Sequence, residues 1–164
     1  MCLKFHYCQA ADLAQLVSFT PRGRSFDAAA PSCPEHQFQR MHEIYLRTGG
    51  LASGDSMAYL LRERCDQPIS MLARWVVSRS VVAFEWRAAL RIPLFQFSTD
   101  VTILQPAVTT VMKELGDVLT DWEIASWFAS PNAWLLDQSP CEAIRRDPGE
   151  VISAARAERV AALG

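Results

Sequence analysis

Apolar side chains recur three or four positions apart in three stretches of the first half of the chain, as on one face of an α-helix. The stretches are residues 35–47, residues 55 to about 64, and a run that starts at Pro68. A glycine pair ends the first stretch, Asp55 can cap the second, and proline suits the first position of the third. The predicted inward faces are Phe38, Met41 and Tyr45; Met57, Leu60 and Leu61; and Ile69, Leu72, Ala73 and Val76.

The pattern changes after the third stretch, where β-branched and aromatic residues dominate. SVVAFEWR (80–87) and RIPLFQF (91–97) both have the composition of strands. Residues 88–90 would join them into a β-hairpin, although this turn has no glycine or asparagine. Because proline cannot donate a ladder hydrogen bond, Pro93 favours an edge position for the second strand.

Residues 105–162 contain repeated signals for the start of a helix. Thr120 and Glu123 fit a capping box, and three Ser-Pro or Asp-Pro pairs follow. The predicted breaks lie near Asp121, Ser130, Ser139 and Asp147. Four or five short helices are therefore expected in this region.

The apolar positions of the same region predict which side chains are buried. A long stripe of such positions precedes the first break, at Val108, Val111, Met112, Leu115 and Leu119. The pair Ser130-Pro131 should start a short helix that carries Trp134 and Leu135. For each of the five tryptophans the core is the default location.

These elements predict a mainly α protein, a helical bundle with a small β-hairpin in the middle. Residues 1–34 would be an N-terminal segment and linker, with a short helix over 10–19. Residues 35–100 would form a helical region with the hairpin, and residues 101–164 a helical domain.

Composition is that of an ordinary globular protein. Half of the 164 residues are hydrophobic, and the formal net charge is −2. The first residues lack the features of a signal peptide, and no stretch approaches the ~18 apolar residues of a membrane span, so we expect a cytoplasmic protein. The five cysteines are odd in number and scattered, which favours reduced thiols over a disulfide framework.

Charge is uneven along the chain. Residues 101–164 carry five Lys and Arg against nine Asp and Glu, so this region is a poor candidate for phosphate contacts. The one local positive cluster lies in the middle of the chain, at Arg74, Arg79, Arg87 and Arg91.

No enzyme active site, metal site or cofactor site is expected. Gly54-Asp55-Ser56 matches the start of the GDSL hydrolase signature, but no histidine follows it, and a helix N-terminus explains it better. Cys33 and His36, with other scattered histidines and cysteines, lack the paired spacing of a structural zinc site. The chain has no P-loop and no dinucleotide-binding glycine motif.

Residues 121–156, DWEIASWFASPNAWLLDQSPCEAIRRDPGEVISAAR, resemble the toxin-binding domain of the Xre/MbcA/ParS antitoxin family. That domain has a tryptophan-led helix, a "W-[LF]-x-x-P-N-x-x-L" stretch, a polar turn and then "P-x-x-x-[LI]" before a last helix. The matching residues here are Trp127, Phe128, Pro131, Asn132, Leu135, Pro140, Ile144, Val151 and Ala155. Most members have a glycine just before the proline element, where this chain has residues 137–139, Asp-Gln-Ser. The resemblance covers roughly residues 105–164.

The resemblance implies a partner. Such domains bind RES-domain toxins, which degrade NAD, and they block the toxin active site with the C-terminal region of the antitoxin. Here that region is residues 155–164, a polar segment at the chain end. Its expected partner-binding residues are Arg156, Glu158, Arg159 and Gly164. Solvated residues on a final amphipathic helix are the equally weighted alternative.

The family usually carries a helix-turn-helix that represses its own operon. Residues 55–79 give two helices followed by the hairpin, an order that resembles a winged helix-turn-helix. Operator DNA would then contact the arginine cluster defined above, and a homo-oligomer, most simply a dimer, would be expected. Two core helices under a hairpin are the structural alternative. The leading hypothesis is an antitoxin, the alternative a stand-alone transcriptional regulator with a helical dimerisation domain, and the remote alternative a small hydrolase.

Overall fold

A computed structural model describes residues 34–98 and 101–164, which belong to one compact unit, Pro31–Gly164. The fold is mainly α with a small antiparallel sheet, as the sequence predicts. The elements are α1 Pro34–Arg47, β1 Leu51–Ser53, α2 Gly54–Arg62, α3 Pro68–Val77, β2 Phe84–Trp86, β3 Ala89–Pro93, α4 Pro106–Leu115, α5 Asp121–Ala129, α6 Pro140–Ala143 and α7 Pro148–Leu163. Two 3-10 turns, Leu94–Gln96 and Ala133–Leu135, complete them. The helix expected over 10–19 and residues 20–33 of the linker lie outside the described residues.

The helix starts follow local chemistry. At α5 the predicted capping box is present: the Thr120 hydroxyl accepts from the Glu123 N–H, and the Glu123 carboxylate accepts from the Thr120 N–H at 2.8 Å. The prediction for α2 was wrong, because Ser53 is the N-cap and its Oγ accepts from the Ser56 N–H at 3.1 Å. Asp55 lies in the first turn instead, where the helix dipole stabilises its negative charge.

The predicted hairpin is present, with shorter strands and a tighter turn. Trp86 pairs with Ala89, so only Arg87 and Ala88 form the turn, and both have positive φ (51° and 56°). Two residues in this conformation match the right-handed twist of the flanking strands. Pro93 led to the prediction that β3 is an edge strand. That prediction was wrong, because β3 pairs with β2 on one side and with β1 on the other.

β1 is a strand that the hydrophobic pattern does not predict. Leu51 pairs with Pro93, and the Leu94 N–H donates to the Gly50 carbonyl at 2.9 Å just beyond this pair. Pro93 is tolerated because it ends the central strand. Gly49 and Gly50 have φ of 115° and 94°, which only glycine adopts readily, and they turn the chain from α1 into β1.

Two hydrophobic clusters lie on opposite faces of the sheet. Successive strand residues alternate between them: Leu51 and Phe84 join the first cluster, while Ala52 and Ile92 join the second. The first and larger cluster combines α1 with α4, α5 and α7, and the second combines α2 with α3. Packing therefore crosses the boundary expected between residues 100 and 101.

Buried side chains tie the segments of the larger cluster together. The Tyr45 hydroxyl of α1 donates to the Ala125 carbonyl of α5 at 2.6 Å. Gln96 has no exposed surface; its Oε1 accepts from the Val82 N–H at 2.7 Å, and its Nε2 donates to the Val82 and Pro93 carbonyls. Such fully satisfied buried groups fix the position of the chain around them.

The predicted inward face of α3 is partly correct: Leu72 and Val76 pack inward, whereas Ile69 and Ala73 do not. Ile69 is 73% exposed, Ala73 is exposed, and only Leu72 of the predicted set is fully buried. Met71, Trp75 and Val76 are the residues that pack against the second cluster beside Leu72. In α2 the prediction for Leu60 was also wrong, because this side chain is 40% exposed.

The C-terminal region breaks near the four predicted positions. The apolar stripe on α4 is buried as predicted, and α7 packs along α4. The short element after α5 was placed slightly wrongly: Asn132 is its N-cap, and the turn that follows is 3-10. Trp134 is 71% exposed, so its predicted core location is wrong.

No helix within residues 34–98 and 101–164 is both long enough and apolar enough to cross a membrane.

Candidate partner-binding surface

A tight loop between α5 and α6 presents two large apolar side chains to solvent. Its ends are joined by the Asn132 N–H, which donates to the Gln138 carbonyl at 3.1 Å. Inside the loop the Asp137 N–H donates to the Asn132 carbonyl at 3.0 Å, and the Trp134 N–H donates to Asn132 Oδ1 at 2.9 Å. Every one of these bonds is local, so the sequence PNAWLLDQ closes the loop by itself.

The backbone of this loop is strained where its apolar side chains are exposed. Leu136 and Asp137 have φ of 55° and 60°, and residues with a side chain rarely adopt this left-handed conformation. Leu136 is 90% exposed and Trp134 is 71% exposed. A left-handed backbone costs a residue other than glycine roughly 1–2 kcal/mol, and an exposed leucine recovers little of it by burial. We call Trp134 and Leu136 the anchor pair.

A groove of about 250 Å³ lies beside the anchor pair. Leu135 and Ala143, both largely buried, contribute to its lining, and Arg146 lies along it. The Arg146 guanidinium is held by Gln138 Oε1 at 2.7 Å and by Asp147 at 2.5 Å. The anchor pair therefore projects beside a preformed depression in which Arg146 is already partnered, while Glu150, also in its lining, has no hydrogen bond or ion pair within the described residues.

The four C-terminal residues predicted to bind a partner have different environments. Arg156 forms an ion pair with Glu114 at 3.0 Å, and Arg159 donates to the Glu114 carbonyl at 2.9 Å. Both arginines thus attach α7 to α4. Glu158 is half-buried, and Gly164 is exposed at the chain end.

The packing of α7 limits how much of the predicted inhibitory segment is free. Ala155, the first residue of that segment, has no exposed surface, whereas Val160 and Leu163 are 71% and 67% exposed. Only the last turn, residues 160–164, is exposed throughout.

A second depression of about 400 Å³ lies between α5, α7 and α1. Its lining includes Gln37, Glu123, Trp127, Asn132 and Glu158, and we call it the acidic cleft. Hydrogen bonds from the Thr120 backbone and hydroxyl lower the pKa of Glu123 below its usual value, so this carboxylate is ionised at neutral pH. Asn132 also closes the loop of the anchor pair, so the two features are adjacent.

The four arginines that were predicted to touch DNA have different environments in the structure. Arg79 is bound to Asp121 at 2.7 Å, and its guanidinium also donates to the carbonyls of Gly116 and Leu119, close to the end of α4. Arg87 pairs with Glu35 at 2.8 Å and lies over the Trp86 ring.

The other two arginines differ from each other in exposure. Arg91 is half-buried within β3, and its Nε has no acceptor among the described residues. Arg74 is exposed on α3. The cluster seen in the sequence is therefore one exposed arginine without an ion pair among the described residues, one half-buried strand residue and two arginines engaged within the fold.

The residues considered for hydrolase, thiol or metal chemistry have environments that fit a structural role. Residues 54–56 form the first turn of α2. Burial raises the pKa of Cys141 to about 11, so its thiol stays protonated at neutral pH. Among residues 34–98 and 101–164, no three potential ligand side chains converge on a point where a metal ion could bind. Cys33, one of the residues considered for a zinc site, lies outside the described residues.

The sequence contains a weak indication of the anchor pair and none of the acidic cleft. Trp134 and Leu136 are separated by two positions, a spacing that cannot place both on one face of a buried helix. The cleft depends on bringing together residues from three helices, and no local pattern reports that.

Comparisons with known proteins add no relative: no family model matches the chain, and no curated protein or solved structure is significantly similar to it. The fold and the geometry described above therefore carry the functional argument.

Proposed function

We propose that this chain is an antitoxin-type binding protein that neutralises a RES-domain, NAD-degrading toxin by direct contact. The observation that carries the proposal is the anchor pair, Trp134 and Leu136, exposed on a strained loop. Tryptophan is among the residues that most often dominate binding energy at protein interfaces. Strain that persists at an exposed position is typical of functional sites, where a partner supplies the compensation.

The position of this strain supports the resemblance to the antitoxin family. Most members have glycine just before the proline element, whereas this chain has Asp137, Gln138 and Ser139 there. The backbone at Leu136 and Asp137 nevertheless adopts the left-handed conformation that glycine favours. The chain thus keeps a glycine-type turn without a glycine, and the cost of doing so favours a role for the side chains it displays.

The C-terminal end is the second expected contact, and the packing of α7 limits which of its residues are free to make that contact. A deletion of residues 155–164 would remove the attachment of α7 to α4 through Arg156 and Arg159 and would expose the core at Ala155. A deletion of residues 160–164 removes only exposed residues. The shorter deletion is therefore the one that separates toxin neutralisation from folding.

The test is co-expression of the chain with the product of an adjacent RES-domain reading frame, followed by co-purification and a growth-rescue assay. Trp134→Ala and Leu136→Gly should each weaken the complex at least tenfold, because a central hot-spot side chain contributes about 2 kcal/mol or more. Tyr59→Ala is the matched control, since Tyr59 is 63% exposed on α2, which packs in the second hydrophobic cluster, whereas the loop contributes Leu135 to the first. Wild-type recovery of the toxin by both loop variants would contradict the proposal.

Binding of operator DNA has less support. Base edges in the major groove are read mainly by polar side chains, whereas three of the five exposed residues of α3 are apolar: Ile69, Ala73 and Val77, beside Ser70 and Arg74. Of the four arginines in the cluster, Arg74 alone is exposed and has no ion pair within residues 34–98 and 101–164. Retention of the protein on its own promoter at low salt would reverse this ranking.

A further inference from the structure

The charges near the C-terminus are not equally available to a partner. Arg156 and Arg159 form their ion pairs and hydrogen bonds with α4, at Glu114 and Asp117. Glu158, between them in sequence, has no ion pair or hydrogen bond within residues 34–98 and 101–164. The unpaired charge on this part of α7 is therefore negative.

Glu158 faces a cleft with no compensating positive charge. None of the described residues that line the acidic cleft is a lysine or an arginine. Glu123 adds a second carboxylate, and its lowered pKa keeps it charged. Glu123 is exposed and Glu158 is half-buried, so the charge of Glu158 is the less screened of the two.

Trp127, one of the residues that line the acidic cleft, carries a buried donor without an acceptor among the described residues. Trp127 is 9% exposed, and its indole Nε1 has no hydrogen-bond partner among the described residues. Leaving such a donor unpaired costs roughly 1–3 kcal/mol. Nε1 itself is shielded from solvent, so an incoming acceptor reaches it only after a small movement of the groups that cover it.

We infer that the acidic cleft binds a basic segment of the protein partner, with a lysine or arginine side chain beside Glu158 and Glu123 and a backbone carbonyl accepting the Trp127 N–H. The inference rests on the proposed function for the presence of a protein partner at the adjacent anchor pair. Arg156 and Arg159 alone would have indicated an acidic partner segment. The inferred segment is basic instead, because those two arginines are engaged within the fold.

A basic peptide segment fits the cleft better than other ligands do. An anion would meet two carboxylates and no cation. A metal ion would need three or more ligand side chains in one place, and the described residues provide no such group. A peptide unit next to a basic side chain supplies both the cation and the carbonyl acceptor. Asn132 connects the cleft to the anchor pair, so one partner can occupy both.

The first experiment measures the affinity of the co-purified toxin for Glu158 variants. Glu158→Gln should weaken the complex about tenfold and Glu158→Lys by more, because the lysine adds a like charge. Glu63→Gln, the same change at an exposed position at the end of α2, should leave affinity within twofold. Toxin binding that is normal in both Glu158 variants would overturn the inference while leaving the proposed function intact.

The second experiment requires no toxin. The peptide acetyl-Gly-Arg-Gly-Arg-Gly-amide is titrated into the ¹⁵N-labelled full chain, and the indole N–H signal of Trp127 is followed, assigned with Trp127→Phe. The signal should move with a dissociation constant on the order of 1 mM, and Glu158→Gln should weaken that response. An equal response to the same peptide with Glu in place of Arg, or none to either, would overturn the inference. A response to the arginine peptide in a chain that binds no RES-domain toxin would retain the cleft and reject the proposed function.

Discussion

Leu136→Gly should stabilise the protein while it weakens partner binding, a combination that few substitutions produce. Leu136 lies at φ 55° and ψ 45°. Relief of the left-handed strain is worth roughly 1–2 kcal/mol. Glycine loses more conformational entropy on folding than leucine does, which offsets about 0.5–1 kcal/mol of this gain. Since the side chain is 90% exposed, its loss removes only about 0.2 kcal/mol of burial.

The net effect is a gain of about 0.5 kcal/mol in the free energy of unfolding, or roughly 1–2 °C in Tm for a chain of this size. Differential scanning calorimetry measures it. Leu136→Ala is the first control, because it removes the side chain but keeps the strained backbone, and it should leave Tm nearly unchanged.

Leu135→Ala is the second control for this prediction. Leu135 is 7% exposed, so its truncation should cost about 2–4 kcal/mol and lower Tm by several degrees. The reasoning would be refuted if Leu136→Gly lowered Tm as Leu135→Ala does. In that case the Leu136 side chain would be buried in solution, or the backbone would not be left-handed there.

The fold makes two further predictions. Arg79→Ala should lower the free energy of unfolding by about 1–2 kcal/mol in a urea titration, because it leaves carbonyls at the end of α4 without their donor, while Arg74→Ala should change it by less than about 0.5 kcal/mol. Equal losses would contradict the structural role of Arg79. The pKa of Cys141 is raised from 9.0 to about 11, so the folded state binds this proton more tightly than the unfolded state does, and stability should fall as pH rises from 9 to 11. Cys141→Ala should flatten that decline, and an unchanged pH profile would contradict it.

Helix starts were predictable because their chemistry is local. Thr120 with Glu123, and the prolines at 140 and 148, act within one turn of the residues they organise. The hairpin was predictable for the same reason, although its turn uses Arg87 and Ala88 at positive φ in place of the usual asparagine and glycine. β1 was not, because a three-residue strand is stabilised by pairing with a partner about forty residues away.

The partners of charged residues were also beyond the reach of a local pattern. Arg156 and Arg159 look like free contacts at a chain end, yet both attach to α4, more than forty residues earlier. Glu158 was predicted as one contact among several, and tertiary packing leaves it as the charge without a partner. The sequence thus named these charges together, but it could not show which of them are paired within the fold.

Two of the four residues predicted to face inward on α3, Ile69 and Ala73, are exposed, and the physical reason bears on function. Apolar residues surround this helix, so more than one helical stripe satisfies the periodicity, and only packing on α2 and the sheet selects the stripe that contains Leu72. Ile69 and Ala73, which were predicted to be buried, remain in solvent together with Val77. A helix that reads DNA would need donors and acceptors along this face, and Arg74 is its one charged member. Since exposed apolar side chains gain most from contact with another protein surface, the middle of the chain gives the same preference as the anchor pair: protein partners over nucleic acid.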